Sequence, residues 1–216
     1  MILTIASQEA SSLPPLSAYA QDLASTTSIA SSIAAALARR RANAGRNVLL
    51  ICQKPADKQA RQHAHESEES AWLATEMKAG ARVRKLAMEE IASELSTAKD
   101  LYHDVVIDMP RLQHGDSLYV LAATGLAVFE IQVSSWNPDR QKRLVQRISA
   151  ARSWNPGLPV LVMVDDMDSL AAHSIISKLS ERVPNIRFIH QHAMPQQGQA
   201  NNDASLTALY QAIYRC

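Results

Sequence analysis

The sequence predicts an α/β fold, a doubly wound and mainly parallel sheet of about six to seven strands with helices on both faces. Three observations lead there. Short apolar runs recur along the chain, helix-length stretches alternate with them, and no break in composition or internal repeat divides residues 1–216, which read as a single domain. The runs are continuous rather than alternating, so the strands are buried on both faces, as parallel βαβ crossovers require.

The expected strands are Ile2–Ala6, Val48–Cys52, Val105–Ile107, Leu126–Val133, Val160–Val164 and Ile186–Ile189, with a weaker candidate at Ala81–Leu86. Helices are expected at 18–43, 67–79, 88–101, 114–123, 138–153, 168–182 and 203–214, and a polar loop at 193–203. In the first helix Tyr19, Leu23, Thr26, Ala30, Ile33 and Leu37 are spaced alternately by four and three, which makes one apolar stripe. Ser17, after Pro14-Pro15, suits an N-cap, so that helix is expected to begin near Ala18.

Composition bounds the function. At 216 residues and 23.7 kDa the chain can bury a substantial core, and its hydrophobic fraction of 47% excludes wholesale disorder. A net charge of +1 gives no global attraction to nucleic acid or anionic membrane, so such binding would need a local patch. Cys52 and Cys216 are isolated thiols, which suits a reducing cytoplasm better than a disulfide framework. No basic n-region opens the chain and no apolar stretch approaches a membrane span, so a cytoplasmic protein without direct membrane insertion is expected. His63-x-His65 and His190-x-His192 share a face only on a strand, and His190-x-His192 has no acid or cysteine nearby in sequence, so no zinc site is expected.

The opening strand, helix and next strand have the frame of a phosphate-binding loop. Such a loop uses glycines so that backbone N–H groups can close on phosphate oxygens, and a lysine to meet their charge. Here the connection carries two prolines and no glycine, lysine or arginine; the first glycine of the chain is Gly45.

Several stretches in order resemble the ParA/MinD family of deviant Walker ATPases. The family's K-G-G-x-G-K-T-T and following helix are matched by Thr26-Thr27 and Ser28–Ala38, and its D-x-D-P by Cys52-Gln53-Lys54-Pro55, where Cys52 and Lys54 replace both acids. Its Y-D-x-V-I-I-D-x-P is close to Tyr102–Pro110, and later strands resemble Leu126–Val133 and Asn155–Val164. The resemblance implies a P-loop NTPase-like fold. Aligned on Thr26-Thr27, however, the phosphate-loop lysine falls at Ser25, the signature lysine at Ala20, and the glycines at Gln21, Asp22 and Ala24. A charged phosphate contact contributes about 1.5–3 kcal/mol, so loss of two lysines and the amide nest removes most of the grip on ATP.

The relic nucleotide positions are therefore Ser25, Thr26, Thr27, Lys54 and Asp108. Asp108 matches the carboxylate that holds magnesium through water, yet one carboxylate without phosphate partners is a poor magnesium site, and a strand-end role serves as well. Thr26 and Thr27 suit a core-facing helix equally, and Lys54 could meet a phosphate from the neighbouring loop. Cys52, with Lys54 its one evident cation, reads as a core thiol. No catalytic residue and no cofactor are expected.

Two basic groups stand out. Arg39, Arg40, Arg41 and Arg46 end the first helix, where cations favour the negative pole. Arg140, Lys142, Arg143, Arg147 and Arg152 lie on the helix at 138–153, flanked by Trp136 and Trp154. That face is a solvated surface, a non-specific DNA face of the kind the family uses, or a partner anchor. The expectation is a pseudo-ATPase that serves a bacterial secretion, polysaccharide-export, conjugation or partition system as scaffold or regulator. The alternatives are a DNA-binding partition protein and an ATPase with an unorthodox loop. The resemblance implies protein partners, among them a second copy, an active relative or a membrane-associated machine that recruits the chain.

Overall fold

The computed structural model describes residues 1–7, 29–54, 80–109, 117–190 and 203–214. Within them the apolar runs become seven strands: β1 (Ile2–Ser7), β2 (Val48–Gln53), β3 (Ala81–Leu86), β4 (Asp104–Met109), β5 (Leu126–Ile131), β6 (Val160–Val164) and β7 (Ile186–His190). They form one sheet in the order β3-β2-β4-β1-β5-β6-β7, every pair parallel. The helices among the described residues are α1 (Ile29–Asn43), α2 (Met88–Leu101), α3 (Ser117–Ala123), α4 (Pro138–Trp154), α5 (Leu170–Arg182) and α6 (Asp203–Tyr214).

Strand alternation sorts the core into two layers. Leu3, Ile5, Val48, Leu50, Val106 and Val128 face α1 and α6, whereas Leu49, Ile51, Val105, Ile107, Phe129 and Val162 face α2, α3, α4 and α5. Strands β4, β5 and β6 are buried at every position, which is why they read as unbroken apolar runs. The described part of the first-helix stripe, Ala30, Ile33 and Leu37, is fully enclosed. The expected helix starts at 18–28 and 114–116, the helix at 67–79 and most of the loop at 193–203 lie outside the described residues.

One strand is shorter than expected. β5 stops at Ile131 rather than Val133, because the Val133 N–H leaves the ladder and donates to Asp165 Oδ1 at 2.8 Å. A 3-10 turn, Val133–Ser135, follows. Helix starts are set by side chains: Asn137 Oδ1 accepts from Arg140 N at 2.9 Å ahead of Pro138, and Ser169 Oγ accepts from Ala172 N at 3.1 Å. α1 ends through Gly45 at φ 77, a left-handed position that glycine takes without a Cβ penalty.

A buried polar chain joins the centre to one helical layer. Thr4 on β1 and Thr124 after α3 are hydrogen-bonded at 2.6 Å, and Thr124 also donates to the Val120 carbonyl at 2.7 Å. Asn155 Nδ2, just past α4, donates to the carbonyls of Ala122 and Thr124 at 3.1 and 3.0 Å, closing the end of α3. Buried hydroxyls need such partners, and here they fix α3 and α4 against the central strand.

A second polar cluster lies at the amino-terminal end of β4. Asp104, 2% exposed, receives Arg41 Nε at 2.8 Å and Arg46 Nε at 3.5 Å, with the Met1 amino group at 3.5 Å. Those cations hold its carboxyl below the usual carboxylate range against the opposing effect of burial. Arg41 also stacks on the Tyr214 ring at 4.2 Å, and Arg40 on the Tyr210 ring at 4.6 Å while donating to Thr207 Oγ1 at 2.9 Å. The arginines at the end of α1 thus hold α6 as well as balancing a helix pole.

Candidate functional site

Strand order reverses at β1. The connection from β1 leads through α1, on one face, to β2; the one from β4 leads through α3, on the other face, to β5. Open parallel sheets bind ligands outside the carboxyl ends of the strands at such a switch point. The residues there on the α1 side are Cys52 of β2, Asp108 of β4 and Glu130 of β5. Cys52 and Asp108 are direct register partners, as are Lys85 and Cys52.

Asp108 is the chemically loaded member. It is 5% exposed, and burial pushes its carboxyl up to about 6, opposed by a hydrogen bond from Ser31 of α1. Its Oδ1 has no hydrogen-bond partner among the described residues. Half-buried Cys52 occupies the position beside it. Lys54 follows β2 and is exposed; its backbone N–H donates to the Leu86 carbonyl at 2.8 Å, continuing the pairing with β3. Ser25, Thr26 and Thr27 lie outside the described residues. Among the described residues, no group of three or more His, Cys, Asp and Glu side chains is placed to hold a metal ion.

Glu130, 3% exposed, was not singled out by sequence reasoning. Its signal is an acid within the otherwise apolar Leu126–Ile131, in register with Ser7 of β1. Lys85 was likewise missed, because the polar composition of β3 suits an edge strand and hides a lysine level with Cys52.

The residues of the expected basic and aromatic face separate. Arg152 Nε and Nη2 donate to the Leu158 carbonyl at 3.2 and 3.0 Å, and its Nη1 donates to the Pro184 carbonyl at 2.6 Å, so it ties α4 to the turn before β7. Arg140 donates to Ser135 Oγ. Trp136 packs against the core, with its indole nitrogen buried. Lys142 and Arg143 are exposed, whereas Arg147 is half-buried, its guanidinium pKa lowered by burial and by Arg143. Trp154 is 71% exposed and meets Tyr119 of α3, itself 57% exposed, with ring centroids 6.0 Å apart. Tyr119 was missed because a tyrosine in a short apolar helix reads as core.

No family model matches the chain, and no curated protein sequence does. Solved structures match its fold. A putative plasmid partition protein from Borrelia burgdorferi B31 bound to AMPPNP is 13% identical, with a TM-score of 0.57, covering 98% of each chain. Cobyrinic acid a,c-diamide synthase from Mycobacterium smegmatis with bound ADP and magnesium is 14% identical, with a TM-score of 0.56, covering 98% of this chain and 95% of the other. A ParA family ATPase from Chlorobium tepidum is 14% identical, with a TM-score of 0.51, covering 88% and 84%. The all-parallel seven-stranded sheet is thus a ParA-type, P-loop NTPase-like α/β fold.

Proposed function

We propose that this chain is a pseudo-ATPase, a ParA-type fold that neither binds nor hydrolyses ATP and acts through protein contacts. Its role on this reading is that of scaffold or regulator in a bacterial secretion, polysaccharide-export, conjugation or partition system. The observation that carries the reading is the connection between β1 and α1, residues 8–28, which holds no glycine, lysine or arginine. A triphosphate brings roughly four negative charges and needs amide or cationic donors to replace its water. Asp108 supports the reading. Burial pushes its carboxyl up to about 6 and so opposes the ionised form that magnesium needs. Isothermal calorimetry with ATP and magnesium is expected to give no saturable heat; one-to-one binding would defeat the proposal.

A second reading is favoured by Lys54, an exposed cation at the carboxyl edge two residues beyond the partner of Asp108. An ATPase with an unorthodox loop would draw its positive charge from there or from a second copy. Hydrolysis abolished by Asp108→Ala and weakened by Lys54→Ala would establish it.

A further inference from the structure

The side of α4 that turns toward α3 combines charge with exposed aromatic surface in a way that packing does not require. Arg143, Arg147, Ala150 and Trp154 are spaced four, three and four, so they form one stripe along the helix, roughly 16 Å long at 1.5 Å per residue. The buried residues Leu144, Ile148 and Ala151 mark the adjoining, core-facing side. At the far end of the stripe Trp154 and Tyr119 stand largely in solvent and touch each other. Neither Arg143 nor Arg147 forms an ion pair among the described residues, and the charge of Arg143 makes that of half-buried Arg147 more costly. A half-buried arginine beside a like charge is relieved by an incoming anion.

We infer that this stripe is a docking site for an acidic, extended protein segment that carries an apolar side chain, with Arg143 and Arg147 meeting its carboxylates and Trp154 and Tyr119 seating the apolar group. The inference deepens the proposed function by naming the chemistry of the partner. Tryptophan, tyrosine and arginine are the residues that dominate protein interfaces. A stripe of this length spans about five residues of extended peptide at 3.3 Å each.

Nucleic acid fits less well. Arg140 and Arg152 are held by Ser135 and by backbone carbonyls, and Lys142 lies away from the stripe. Two available cations would release counterions from only about two phosphates, a salt slope near −2 and too little for useful affinity.

The test uses the full chain labelled with nitrogen-15, following the Trp154 indole resonance, assigned by its loss in Trp154→Phe. The probe is a synthetic peptide of about seven residues alternating Glu with Leu and Phe. Saturable movement of that resonance is expected. The same peptide with Gln in place of Glu, and the double variant Arg143→Glu with Arg147→Glu, should each weaken binding on the order of tenfold. Trp154→Ala, at an exposed position that leaves the fold intact, should weaken it similarly by anisotropy of a labelled peptide. No movement at millimolar peptide, equal binding of the Gln peptide, or tighter binding of a short DNA duplex would each overturn the inference. ATP binding by the same sample would defeat the pseudo-ATPase reading and leave the peptide result standing.

Discussion

Asp108 and Asp104 occupy one strand four residues apart, and their surroundings drive them in opposite directions. Asp104 has cations within reach and titrates low, whereas Asp108 has none among the described residues and titrates near 6. The consequences for stability have opposite signs. Because the folded pKa of Asp108 exceeds its unfolded value of about 3.8, its protonated form favours the fold; that contribution is complete below pH 4 and is lost as pH rises through 6. A shift of about two units corresponds to an upper bound of roughly 3 kcal/mol. Asp104 stabilises above pH 4 and ceases to do so as pH falls through its depressed pKa. Asp108→Asn should therefore raise the melting temperature at pH 7.5 by several degrees and at pH 4.5 by only about a third as much, as thermal unfolding at the two pH values will measure. Asp104→Ala should cost about 3 kcal/mol at pH 7, because it leaves Arg41 partly buried without its anion, and urea unfolding will read that loss. The residue types at both positions were plain in the sequence. Their opposite roles were not, since Arg41 and Arg46 reach Asp104 from across the fold.

Among the elements, β6, α2, α6 and even the weak β3 fall where periodicity and apolar runs put them. The end of β5 was not legible, because it depends on Asp165, a residue beyond the next helix. The same limit applies to α4. Its charge pattern could be written from the sequence, but which arginines are engaged depends on the carbonyls of Leu158 and Pro184 and on Ser135. Local pattern sets an element's existence; distant partners set its edges and its free groups. α6 gives a direct test of element-scale energetics. Its tyrosines stack on Arg40 and Arg41, and Leu209 and Ile213 enter the layer that α1 fills. Tyr210→Ala with Tyr214→Ala should lower amide-exchange protection of α6 well before that of β4 or β5, because the helix loses its stacking while the sheet keeps its core.

For the molecule as a whole, the fold does not by itself set an activity. The sheet and its crossover pattern are set by two apolar layers that have no need of a nucleotide. Function in such folds lies in the side chains at the switch point, where this sequence puts Cys52, Asp108 and Glu130. A ligand held at a hundredfold excess over its dissociation constant would add about 2.7 kcal/mol to stability. Millimolar ATP with magnesium is expected to leave the melting temperature unmoved, as differential scanning fluorimetry will check.

The place of β1 carries one more consequence. It pairs Ile2 with Val105 on one side and Leu3 with Leu126 on the other, so both partners follow it by about a hundred residues of chain. A ribosome adding about 5–20 residues per second keeps that segment waiting several seconds before either neighbour exists. Until then two unsatisfied edges of an apolar strand are on offer to any passing chain. The interval before β4 and β5 emerge is thus the stage at which this strand is most open to a wrong pairing.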